Sequence, residues 1–99
     1  MQFELLRFPL RSGVIIKDAP SETVGTIEGD SINLVAYDLL RAAKSDIQES
    51  CDCDFVEAEY LLPSEVFSPE DGIDYSISAV TRDKKNNLTG RYIFGIKKS

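Results

Sequence analysis

Alternation with a period of two opens the chain. Phe3, Leu5, Leu6, Phe8 and Leu10 are apolar, with Glu4 and Arg7 interleaved, which predicts a half-buried strand. Arg11-Ser12-Gly13 reads as a turn, and the β-branched run Val14-Ile15-Ile16 is expected to pair back on the first strand. Residues 18–22 read as a loop and Thr23–Ile27 as a third strand, with Gly25 marking a bulge. From Ile32 the period changes. Ile32, Val35, Ala36, Leu39, Leu40, Ala43 and Ile47 form an i, i+3, i+4, i+7 stripe, which predicts a helix over about 31–49. Asp30 or Ser31 is suited to cap its first turn. On its polar side, Asp38 and Arg41 are spaced to form an exposed pair.

Alternation then resumes. In 55–62, Val56, Ala58, Tyr60 and Leu62 share one face, and Phe55, Glu57, Glu59 and Leu61 the other. Residues 63–67 suit one helical turn, and Ser68-Pro69-Glu70-Asp71-Gly72 is a loop. Strands over 73–82 and 88–97 flank the turn 83–87. Strands therefore come in runs around one helix and do not alternate with helices. The expectation is one α+β domain over 1–99, with a mostly antiparallel sheet of about five to six strands and the helix packed on one face.

Charge sharpens this picture. The 99 residues carry 17 Asp and Glu against 11 Lys and Arg, net −6, but unevenly. Residues 1–44 are close to balanced at −1, whereas 45–81 hold ten acids and no base, and 82–99 carry +5. A one-sign segment of this kind speeds encounter with an oppositely charged surface and selects for it. The plainer alternative is a solvated face that Arg82, Lys84, Lys85 and Arg91 of the C-terminal hairpin partly neutralise.

The residue inventory excludes several chemistries. The chain has no His, which removes Ser-His-Asp and Cys-His catalysis, His-ligated metals and the usual general base near neutral pH. Phosphate-binding P-loop and dinucleotide-binding glycine patterns are missing, so no cofactor is expected. Cys51 and Cys53 are too few for a structural zinc site, and their carboxylate neighbours disfavour a reactive thiolate. Asp52 and Asp54, or Glu70, Asp71 and Asp74, offer hard oxygens, but the calcium-loop spacing is absent and no metal is expected. Direct nucleic-acid binding is disfavoured because the acidic segment adjoins the basic hairpin. No apolar run reaches membrane-spanning length, and Met1–Arg7 lacks the form of a secretion signal, so a cytoplasmic protein is expected.

What remains is a small acidic, non-enzymatic binding protein whose 46–74 segment docks on a basic partner protein. The contact residues expected are Asp52, Asp54, Glu57, Glu59, Glu65, Glu70, Asp71 and Asp74, with Tyr60 and Phe67 as apolar anchors. By analogy alone, such a domain suits an inhibitor of a nucleic-acid-binding protein or nuclease, in an immunity or phage anti-defence role. Two other classes stay open. One is a homodimeric assembly subunit joined through edge strands. The other is a small enzyme using a carboxylate pair such as Glu57 and Glu59, which stand about 7 Å apart along a strand.

Overall fold

The computed structural model describes residues 1–16, 18–50 and 53–98. Gln2–Phe8 forms β1, which ends where Pro9 withholds a backbone donor. Beyond Pro9 the chain leaves the main sheet. Leu10–Arg11 (β2) and Val14–Ile15 (β3) pair with each other as a separate two-stranded ribbon. The turn between them holds Ser12 at φ 54° and Gly13 at φ 80°, the paired left-handed geometry of a two-residue hairpin. The expected pairing of 14–16 back on the first strand is thus met only at that strand's last residue, Leu10; the correction is that the strand does not run unbroken from Phe3 to Leu10 but splits at Pro9. The neighbours of β1 are instead Glu22–Glu28 (β4) and Leu88–Lys98 (β7). The bulge expected at Gly25 is present: Leu5 faces Gly25 and Leu6 faces Thr23, so Val24 is the extra residue.

Phe55–Leu61 (β5) and Tyr75–Arg82 (β6) complete a five-stranded antiparallel sheet in the order β4-β1-β7-β6-β5. The helix Ile32–Ser50 (α1) connects the two edge strands, lying over one face of the sheet. The α+β architecture read from the sequence is therefore the one observed. The helix is centred on the i, i+4 row Val35, Leu39, Ala43 and Ile47, all buried. They meet Phe3, Leu5, Ile77, Ala79, Phe94 and Ile96 from the central strands. On the solvent side, Arg41 stacks 4.8 Å over the ring of Tyr37, where the sequence predicts an Asp38–Arg41 pair.

The opposite sheet face is also partly covered. The rings of Phe8 and Phe67 pack 4.8 Å apart, and Ile93 and Gly95 are buried. A Cβ on Gly95 would lie 2.7 Å from Phe8 Cε2 and 3.0 Å from Ile73 Cδ1, so only glycine admits this second packing layer. No helix among the described residues is long and apolar enough to cross a membrane.

Candidate functional site

The acidic segment is distributed by the fold into groups with different surroundings. Asp46 is withdrawn from the surface: it accepts from Arg7 at 2.6 Å, and the same guanidinium reaches Glu22 at 2.5 Å. Burial disfavours the charge of Arg7, but hydrogen bonds to Asp46 and Glu22 outweigh it and raise its pKa.

Three further acids hold backbone. Glu65 accepts from the Leu62 N–H at 3.0 Å. Asp71 accepts from the Ser68 N–H at 2.9 Å and from its hydroxyl at 3.2 Å. Asp74 accepts from the Lys98 N–H at 3.0 Å, tying the start of β6 to the end of β7. The short Pro-led turns Pro63–Glu65 and Pro69–Asp71 explain the first two, because a carboxylate three residues on can reach the free N–H that opens such a turn.

Glu57 and Glu59 behave differently. Both are exposed on the β5 face turned away from the helix, beside Ser78 and Val80 in a groove of about 150 Å³. Arg82, one strand inward, places Nε 3.6 Å from Glu57 Oε1. That Nε is buried and makes no hydrogen bond, while Arg82 Nη1 donates to the Asn86 carbonyl at 3.1 Å. Glu59 takes part in no ion pair among the described residues. The hairpin thus lies alongside the acidic strand as the solvated-face reading expects, yet only Arg82 among its described bases pairs with it. Asp54 is exposed just before β5, and Glu70 is exposed beside Asp71. Asp52 lies outside the described residues.

The two aromatic residues named from the sequence part company. Tyr60 is a surface residue, with its ring half-exposed and its hydroxyl donating to the Ala36 carbonyl of α1. Burial raises its phenol pKa. Phe67 is 8% exposed and faces Phe8 in the second packing layer, so it is no surface anchor. It lines a groove of about 530 Å³ between 14–16 with Ala19 on one side and 66–71 on the other, together with Ile15, Ile16, Val66, Glu70 and Asp71.

A third groove, of about 440 Å³, lies where α1 meets the end of β5. Ile32, Ala36, Tyr60, Leu62, Pro63 and Tyr75 line it, with Asp74 at its margin. Leu62 (69% exposed) and Tyr75 (38%) were not among the residues singled out from the sequence. Both lie within the alternation read from the sequence, Leu62 on the face of Tyr60 and Tyr75 in the strand 73–82, and their remaining signal is position: an apolar residue just before a proline and an aromatic one near a strand start. Among the described residues, no group of three or more Cys, Asp or Glu side chains is placed to hold a metal ion. Comparison of the chain with protein-family models, with curated proteins and with solved structures gives no match.

Proposed function

We propose that this protein is a non-catalytic binding module that engages a basic protein partner through the acidic surface of 54–74. The observation that carries this reading is the state of the carboxylates themselves. Asp54, Glu57, Glu59 and Glu70 all stand in solvent, and among the described residues Glu57 is the one of the four that joins an ion pair. Exposed carboxylates keep their charge and are free to pair across an interface, where they raise the association rate and set partner choice. The apolar groove beside β5 supplies the desolvated contact that charge alone lacks. Inhibition of a nucleic-acid-binding protein is one outcome of such docking. A cytoplasmic location is part of the same proposal.

Capture of a lysine-rich polypeptide on the immobilised protein, across a salt series, tests the reading. The variant D54K/E57K/E59K/E70K should lose at least ~10-fold in affinity, a change of about 1.4 kcal/mol. Its urea midpoint should fall only through loss of the Glu57–Arg82 pair, to the level of E57K alone, because none of the four side chains holds the backbone. A control reversal of Asp18, Glu28, Asp38 and Glu49 makes the same change in net charge and should leave binding largely intact. Equal losses in both variants, or salt-insensitive capture, would sink the proposal.

A further inference from the structure

β5 is a long edge strand whose protection is the charge of Glu57 and Glu59 alone. It runs seven residues in unbroken register from Phe55↔Arg82 to Leu61↔Ser76, with no bulge, proline or lysine. Edge strands commonly carry one of these, because alternate N–H and C=O groups on the free side otherwise form a template for another strand. The other edge, β4, is broken by the bulge at Val24. Among the described residues, no strand pairs with β5 other than β6.

Charge then decides what kind of strand fits. A second copy does not. Antiparallel self-pairing of β5 about Ala58 sets Glu57 of each copy against Glu59 of the other, and like charges directly opposite are destabilising. β4 self-pairing about Gly25 likewise sets Glu22 against Glu28. Pairing β4 with β5 brings no base opposite either glutamate of β5.

We propose that the free edge of β5 takes up an extended peptide segment of the partner, alternating basic with apolar residues, as an added strand of the sheet. This rests on the reading that the 54–74 surface docks a basic protein. On the outer face, Glu57 and Glu59 are two residues apart, the spacing of Lys or Arg at alternate positions of an opposing strand. On the helix face, the intervening residues of the peptide extend the row of Val56, Ala58 and Tyr60. Beyond that row lies the groove of Ile32, Ala36, Leu62 and Tyr75, which accepts an apolar side chain. Backbone pairing supplies affinity and the alternate side chains supply selectivity.

A capped peptide of about nine residues, alternating lysine with valine, is long enough to span the seven residues of β5 and serves as the probe. It should bind at least ~10-fold more tightly than an isomer of the same composition with its lysines in one block. Amides of β5 that point away from β6 should gain protection from hydrogen exchange when it binds. N-methylation along one edge of the peptide should abolish binding, and along the other edge leave it within ~2-fold. E57K/E59K should weaken binding at least ~10-fold, whereas E70K should not. The strand-addition proposal is overturned if both N-methyl series bind like the parent, if β5 amides stay unprotected, or if the block isomer binds as well. Those results leave docking by charge standing. If the lysine-rich polypeptide also fails to bind, the docking reading falls with it.

Discussion

Phe67 and Asp83 show how far one side chain's role depends on neighbours remote from it or close to it. Phe67 sits in an exposed-looking run of Pro, Ser and acidic residues, yet its ring lies 4.8 Å from Phe8, nearly sixty positions away. Truncation should leave a cavity under the second packing layer. Phe67→Ala is expected to cost about 3 kcal/mol, read from urea unfolding, with Phe67→Leu costing less than half of that. The contacts of Asp83 are local. Its carboxylate accepts from the Lys85 and Asn87 N–H groups, both at 2.9 Å, and closes the β6–β7 turn. The Asn87 backbone bond is the main cause holding its pKa below the ordinary 3.8. A depressed folded pKa means that this contribution is present above the unfolded value and is lost as pH falls through the folded one. In an NMR titration the Lys85 and Asn87 amide shifts should therefore move together with a midpoint below 3.8, and D83N should abolish that transition.

Among the elements, those with a strong period were legible from sequence. The helix expected over 31–49 is observed at Ile32–Ser50, and the alternation of 55–62 appears as β5 at Phe55–Leu61. Local periodicity suffices there because burial of one face dictates where apolar side chains recur. The hairpin of 10–15 is legible from its turn, but its separation from the main sheet is not, since a β-branched run carries no mark of which sheet it joins and Pro9 takes the chain out of the larger one. Ties between elements were equally hidden. Arg7 joins β1 to β4 through Glu22 and to α1 through Asp46, across 39 positions in the second case. Arg7→Met is expected to destabilise by about 1–3 kcal/mol, because it strands a half-buried carboxylate. Arg7→Met/Asp46→Leu should recover much of that loss in thermal unfolding.

For the whole molecule, the net charge of −6 conceals where charge acts. Of the acids in 45–81, Asp46 is tied to Arg7, while Glu65, Asp71 and Asp74 hold backbone amides. Glu57 and Glu59 are left on a long free edge. Because both edges of the sheet carry glutamates and no base, the protein should sediment at its monomer mass in low salt at neutral pH. Glu57→Gln/Glu59→Gln should promote self-association, most visibly in concentration-dependent ultracentrifugation.

The order of residues alone established the fold class, the helix, the faces of the strands and the acidic bias of the middle third. Each follows from spacing within one element or from a count, and both survive any arrangement of the elements. Only the folded chain decided that β1 and β7 lie side by side, that β5 has a free edge, that Phe67 is interior and that Asp46 is spent on Arg7. Those outcomes depend on contacts between residues far apart in sequence. Such contacts are selected by burial of two sheet faces at once, and no local period records them.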